Sequence, residues 1–161
     1  MVIKELNSML LSLEGFSSIE CEAPVSVLSV LCDKGILKDV YYADNVDEAR
    51  RMYPLGASFS STFEADTLLM SYKHLYLEIK DVDAPLTVLL NDNPIANIST
   101  PGAEYIFDVR AQIRFGTNRV ELRYDKRPLS PSDYLTDIAV IHPPRVLAFN
   151  YAHIENVVIN E

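Results

Sequence analysis

The stretch His74-Leu75-Tyr76-Leu77-Glu78-Ile79 decides the fold class of this 161-residue chain. Leucine or isoleucine occupies every second position, and histidine, tyrosine and glutamate lie between them. Because successive side chains of a β-strand point to opposite faces, this alternation predicts a strand with one buried side and one outward-facing side.

Further short apolar segments follow, and turn-forming residues separate them. The clearest turns are Asn91-Asp92-Asn93-Pro94, which reads as a hairpin connection, and Gly116-Thr117-Asn118. Short strands with regular turns predict an all-β, antiparallel β-sandwich. The polar stretch 127–133 is the best candidate for a long exposed loop. The additional predicted strands are residues 86–90, 105–109, 120–124, 146–149 and 154–159.

The N-terminal third instead predicts two short helices. Pro24 suits a first helical turn, the apolar side chains up to Leu31 share a face, and Gly35 is a typical stop signal. Residues 45–48 read Asn-Val-Asp-Glu, which has the pattern of a capping box opening a second helix through Met52.

Two segments carry a resemblance to a known family. Residues 23–31 and 35–45 resemble the stretch V-P-G-x-V followed by G-x-I-x-D-P-Y-Y-x-x-N-E in β-mannosidases of glycoside hydrolase family two. The resemblance extends from about residue 6 to residue 159 and implies a single galactose-binding-like jelly-roll domain over residues 1–161. Further motifs of that family are resembled, in the same order, by Phe59, Phe63 and residues 89–92, 105–109, 116–120 and 146–158.

The chain departs from the family pattern at positions that matter for sugar binding. It has no tryptophan, and Ala57 stands where the family usually has one. A W-D-W insertion near the sugar pocket is replaced by the short segment 126–136. The immunoglobulin-like and barrel domains of the family would follow Glu161, and the barrel holds both catalytic carboxylates. The resemblance therefore implies a domain that is not itself an enzyme.

Patterns for catalysis give no stronger alternative. Glycoside hydrolysis needs two carboxyl groups about 5 to 9.5 Å apart. The clustered Asp44, Asp47 and Glu48 are better explained as favourable charge at the start of a helix. The sequence has no serine nucleophile motif and no glycine-rich phosphate loop, so we expect no catalytic residue and no cofactor. Metal-ligand spacing is also absent among the histidines, which are His74, His142 and His153.

A saccharide site is the better functional hypothesis. Carbohydrate sites combine an aromatic ring that stacks on the sugar with directional polar groups. Tyr41, Tyr42, Asn45 and Tyr53 surround one loop and helix start, so we predict them as ligand-binding residues. The resemblance singles out Asn45, because polar residues after the Tyr-Tyr pair approach the sugar pocket in the family. The alternatives are a helix cap for Asn45 and packing against the sandwich for the tyrosines.

Charge and cysteine content limit the partners. The formal net charge is -9 and the basic residues are not clustered, which argues against nucleic acid and anionic membrane surfaces. Cys21 and Cys32 lack zinc spacing and are expected to be buried free thiols. The sequence has no convincing signal peptide or membrane-spanning run, so we expect a cytoplasmic location.

Three functional interpretations remain open at this stage. The chain is a carbohydrate-binding module, a structural or interaction domain, or a fragment of a longer glycosidase. The first predicts a saccharide as partner. The second predicts a separate glycosidase barrel subunit or self-association through an exposed apolar surface.

Overall fold

A computed structural model describes residues 1–39, 45–52, 56–126 and 137–151. Over these ranges the chain forms twelve strands and three short helices. The helices are α1 (Val27–Asp33), α2 (Asn45–Met52) and α3 (Thr67–Ser71). The strands are β1 (Val2–Glu5), β2 (Ser8–Leu13), β3 (Ile19–Glu22), β4 (Val25–Ser26), β5 (Ala57–Ala65), β6 (His74–Val82), β7 (Leu86–Leu90), β8 (Asn93–Ile98), β9 (Gly102–Asp108), β10 (Gly116–Tyr124), β11 (Ala139–Val140) and β12 (Arg145–Phe149).

The strands form two main antiparallel sheets. One has four strands in the order β1-β12-β6-β9, and the other has six in the order β3-β2-β5-β10-β7-β8. A small pair, β4 with β11, joins the start of α1 to the chain after residue 137. The predicted all-β antiparallel sandwich is therefore confirmed.

Alternating side chains of the two sheets build the core. Leu75, Leu77 and Ile79 of β6 are at most 3% exposed, as their spacing predicts. On the six-stranded sheet, Phe59 is fully buried and meets the Tyr124 ring edge to face, with centroids 6.2 Å apart. The Tyr124 hydroxyl donates to the carbonyl of Ala139, which satisfies its polar end.

The hairpin between β7 and β8 turns through two residues. Asn91 and Asp92 both have positive φ, 51° and 67°, which is the conformation that tight hairpin turns with right-handed twist require. The sequence placed this turn over residues 91–94, but Asn93 and Pro94 already belong to β8. Pro94 is tolerated there because β8 is the edge strand of its sheet.

Asn118 ties that hairpin to the turn before β10. Its Oδ1 accepts from the Arg114 backbone N–H (3.0 Å) and from Asn91 Nδ2 (2.9 Å). Its Nδ2 donates to the carbonyls of Arg114 and Gly116 at 2.7 and 3.0 Å. The side chain is fully buried and uses all of its hydrogen-bonding capacity, which explains why an asparagine stands at this point of the predicted turn.

The helices agree with the sequence in part. Helix α2 has its predicted extent, whereas α1 begins at Val27 and leaves Pro24 outside the first turn, after a cis peptide bond. Ser26 caps α1, since its hydroxyl accepts from the Ser29 backbone while the Ser29 side chain accepts from Ser26 N–H. Gly35 follows the helix with φ 69°, as the stop signal predicts.

Several elements were not predicted from the residues alone. They are β1, β2, β3, β4, β5, β11 and α3, although the resemblance covered most of these segments. Cys21 and Cys32 are free, as expected, but both are half-buried, so the expectation of full burial was wrong. The predicted strand 154–159 and the predicted loop 127–133 lie outside the described residues.

We expect Phe59→Ala to lower the free energy of unfolding by roughly 3–5 kcal/mol, because it leaves a cavity at the centre of the sandwich. Phe115→Ala is the matched control, since Phe115 is 70% exposed, and its effect should stay within about 0.5 kcal/mol. Urea unfolding measures both, and equal effects would contradict the assignment of Phe59 to the core.

We expect Asn118→Ala to cost roughly 2–4 kcal/mol, because it leaves buried backbone and side-chain groups without partners. Asn93→Ala, on the exposed start of β8, is the control and should be close to neutral. Guanidinium unfolding measures the free energy of unfolding of both variants. An unchanged value for Asn118→Ala would contradict the prediction, because it would mean that water replaces these hydrogen bonds without cost.

Candidate functional site

Asn45, the predicted site residue that the structure describes, begins α2. Its Nδ2 donates to the Asp39 backbone carbonyl at 2.8 Å, so the side chain links the helix start to the preceding segment. Tyr41, Tyr42 and Tyr53 lie outside the described residues. Saccharide contact by these four residues therefore stays a prediction.

A pocket of about 450 Å³ lies near Asn45, between α1 and the start of β11. Its most buried carboxyl belongs to Asp137, which accepts from the Leu28 backbone N–H at 3.1 Å. Burial raises the pKa of Asp137, while hydrogen bonds from Ser26 and Leu28 act in the opposite direction. These polar groups hold the N-terminus of α1, which is a structural role. The lining residues are Ser26, Leu28, Ser29, Cys32, Asp33, Leu37, Asp39 and Asp137.

A second, larger cleft of about 590 Å³ crosses the outer face of the six-stranded sheet. Strand pairing aligns Glu20, Leu10 and Ser60 in one row. A second row consists of two pairs that both line the cleft, Glu22 with Ser8 and Thr62 with Arg119. Residues directly opposite on neighbouring strands share a face, with Cβ atoms about 4.5–5.5 Å apart. These two rows are called the sheet cleft below.

Beside the sheet cleft, Glu121 is a buried carboxylate held by arginines. Its side chain is 7% exposed and accepts from Arg119 Nη1 at 2.8 Å and from Arg123 Nε at 3.1 Å. Arg119 Nη1 also lies 3.0 Å from Asp92 Oδ1. The positive charge of Arg119 is therefore already balanced by two carboxylates.

The outer face of the four-stranded sheet has a different character. The rings of His74, Tyr76 and Phe149 stack, with the Phe149 centroid 5.3 Å from each of the other two. Leu147 pairs with Tyr76 on β6 and with Ile3 on β1, which puts all three on this side. Together with Ile106 of β9, these residues are called the aromatic face below: Ile3, His74, Tyr76, Ile106, Leu147 and Phe149.

Next to the aromatic face lies a buried ion pair. The Glu78 side chain is 1% exposed, receives a bidentate contact from Arg145, and has Lys80 Nζ at 3.5 Å. Burial disfavours the charged form of Glu78, but the hydrogen bonds and charge of Arg145, with the charge of Lys80, outweigh it. The pKa of Glu78 is therefore lowered.

The other candidate residues from the sequence either make local structural contacts or lie outside the described residues. His142 Nε2 contacts Asp81 Oδ2 at 2.8 Å in an exposed pair, and Asp47 and Glu48 lie in the first turn of α2. Asp44 and His153 are outside the described residues. Within residues 1–39, 45–52, 56–126 and 137–151, no cluster of His, Cys, Asp and Glu is suited to hold a metal ion, and no helix has the length and apolarity to cross a membrane.

The two antiparallel sheets and their shared core define a β-sandwich of the galactose-binding type. Residues 8–140 match the family described as glycosyl hydrolase 2 galactose-binding domain-like, so the chain belongs to this family. This confirms the resemblance drawn from the sequence. No curated protein matches the sequence.

Several solved glycosidases have the same fold. The β-D-mannosidase of Dictyoglomus thermophilum matches over 93% of this chain and 23% of its own, with TM-score 0.83 and 16% identity. The exo-chitosanase CsxA of Amycolatopsis orientalis matches over 93% and 21%, with TM-score 0.74 and 14% identity. The β-D-glucuronidase of Dictyoglomus thermophilum matches over 96% and 29%, with TM-score 0.65 and 14% identity. The chain thus spans less than a third of each of these proteins.

The Glu78 ion pair predicts a specific pH dependence of stability. A folded-state pKa below the unfolded value of about 4.3 adds stability above that pH, and this contribution disappears as the pH falls through the lowered pKa. We expect Glu78→Gln to remove it, so the variant's free energy of unfolding falls less steeply in acid. Glu22→Gln, an exposed substitution on the other sheet, should keep the wild-type profile. Urea unfolding between mild and strong acid tests this, and parallel profiles for Glu78→Gln and wild type would contradict it.

Proposed function

We propose that this chain is a non-catalytic accessory domain of a family-two glycosidase and docks onto the catalytic barrel through the aromatic face. The observation that carries the proposal is the composition of that face. An outward-facing sheet surface is ordinarily polar, whereas this one presents a ring stack bordered by Ile3 and Ile106, which are 45% and 48% exposed.

The aromatic face has the composition of an interface core. Aromatic side chains and aliphatic neighbours are enriched at the centres of protein interfaces, with charged groups at the rim. Glu5, Lys80, Glu104 and Asp108 surround this face and supply such a rim. A face of this kind is expected to be covered by another protein surface.

Membership of this family supports the catalytic barrel as the partner that covers the aromatic face. The similar glycosidases contain this fold as 21–29% of their length, so most of each chain lies outside it. Covering the aromatic face with the barrel would also bury the Glu78–Arg145 pair more deeply, and the bidentate contact between the two side chains already compensates the Glu78 charge there. We propose that hydrolysis belongs to the barrel and that this domain by itself does not hydrolyse glycosides.

The test is association with the family-two barrel encoded in the same genome, measured by sedimentation velocity. We expect the wild-type chain to form a complex and Ile3→Glu with Ile106→Glu to weaken it at least tenfold, because two charges would then be buried without partners. Phe115→Glu adds one charge at an exposed position away from the face and serves as the control.

Two results would contradict the docking proposal. One is a wild-type chain that stays monomeric in the presence of the barrel. The other is a complex that the double variant and Phe115→Glu affect equally. The melting temperature of each variant shows whether it is folded. Release of p-nitrophenol from aryl β-mannoside by the chain alone would contradict its non-catalytic role.

A further inference from the structure

We propose that the open edge of β9 is a strand-addition site for an extended segment of another protein, in which an aliphatic residue lies between two basic residues at alternate positions. Strand addition uses main-chain hydrogen bonds along an unpaired sheet edge, and side chains at alternate positions supply specificity. This inference goes beyond docking of the barrel on the aromatic face, because it uses the backbone of β9 and extends the four-stranded sheet by one strand.

Among the described strands, β9 is the longest of the four that end the two main sheets. It has seven residues, whereas β1 and β3 have four each. Strand β8 has six, but it contains Pro94, and its pairing with β7 is irregular at Val88 and Leu89. Short length, proline and bulges are common protections of a sheet edge, and β9 shows none of the three over residues 102–108.

The hydrogen-bond pattern of β9 directs every second pair of backbone groups to the open edge. The Val109 N–H donates to the Leu75 carbonyl at 2.9 Å, and the antiparallel register makes bonds to β6 recur at every second residue before it. The N–H and carbonyl groups of Glu104, Ile106 and Asp108 therefore point away from β6. None of these groups has a hydrogen-bond partner among the described residues, so an added strand can pair with them.

The side chains of the same three residues define the chemistry of the added strand. Glu104, Ile106 and Asp108 are all exposed, Ile106 by 48%. Lys80 Nζ lies 3.3 Å from Glu104 and offsets part of its charge, but Lys80 also lies 3.5 Å from Glu78. Directly opposite residues on paired strands interact, so basic residues opposite the two exposed carboxylates and an aliphatic residue opposite Ile106 complement this edge.

The two carboxylates also disfavour a second copy of this chain as the occupant. Antiparallel pairing of two β9 strands centred on Ile106 would place Glu104 of each copy opposite Asp108 of the other. Like charges directly opposite each other destabilise a strand pair, and charged residues on an edge strand are a common protection against self-pairing. The occupant is therefore a basic segment of a different protein.

The first experiment titrates the 161-residue chain with the capped peptide Thr-Lys-Thr-Val-Thr-Arg-Thr and follows amide NMR shifts and hydrogen exchange. We expect shifts and slower exchange at the amides of Glu104, Ile106 and Asp108. The same peptide with glutamate at both basic positions should bind roughly tenfold more weakly, because attractive pairs become repulsive. A third peptide, N-methylated at lysine, valine and arginine, keeps both charges but cannot donate to β9, and it should lose binding.

A pair of variants tests the backbone of β9 from the other side. Ile106→Pro removes the N–H at the centre of the open edge, and proline is accepted on edge strands, so we expect a folded chain that no longer binds the basic peptide. Ile106→Ala keeps that N–H and is the matched control, which should bind within a few-fold of wild type. The melting temperature shows whether each variant is folded, and the N-methylated peptide tests the same hydrogen bonds on the wild-type chain.

The exclusion of self-pairing has its own measurement. Glu104→Lys converts both facing pairs into opposite charges, so this variant should self-associate roughly tenfold more strongly than wild type in sedimentation velocity. Glu104→Lys with Asp108→Lys restores like charges and should sediment as wild type does.

The contrary outcomes are distinct from failure of barrel docking, because none of these measurements contains the barrel. Equal binding of the N-methylated peptide would overturn strand addition and leave simple charge attraction. Equal binding of the glutamate peptide would overturn the basic preference. Shifts away from β9, no binding of any peptide, or a wild-type chain that dimerises through β9 would overturn the proposed occupant of this edge.

Discussion

The burial of every second side chain between the two sheets is the constraint on which the molecule depends. Phe59 and Tyr124 meet edge to face on the six-stranded sheet, and Leu75, Leu77 and Ile79 bury the core side of β6. Because the side-chain period of a strand is two, fixing these residues inward fixes their neighbours outward. Ser60 and Glu121 therefore face outward from the six-stranded sheet, and Tyr76 and Glu78 from the four-stranded sheet.

The two-residue period of the strands also determines how much of the fold can be predicted from the sequence. Strands β6, β7, β9, β10 and β12 were predicted, because apolar and polar residues alternate or form short apolar runs there. Strand β2 reads Ser-Met-Leu-Leu-Ser-Leu, and Leu10 faces the sheet cleft, which obscures the alternation. Strand β5 contains Ser58, Ser60 and Ser61, of which the last two are buried, so its polarity resembles that of a loop. Helix α3 has only five residues, too few for a periodic pattern.

Sites are harder to predict than strands because they combine distant segments. Glu20, Ser60 and Arg119 come from three separate parts of the sequence, and only strand register brings them to one cleft. The residues predicted from the sequence as ligand-binding were instead Tyr41, Tyr42, Asn45 and Tyr53, because they are close along the chain and match a family motif.

The two outer faces of the sandwich differ in chemical character. A docking face gains from covering apolar rings and must tolerate the buried Glu78, whose charge Arg145 and Lys80 already balance. The outer face of the six-stranded sheet instead keeps Glu20 and Glu22 exposed on its edge strand, and neither forms an ion pair with another described residue. Covering that face would desolvate these carboxylates at a high energetic cost, because no described residue compensates their charge. The two faces of the sandwich therefore differ in how readily another protein surface can cover them.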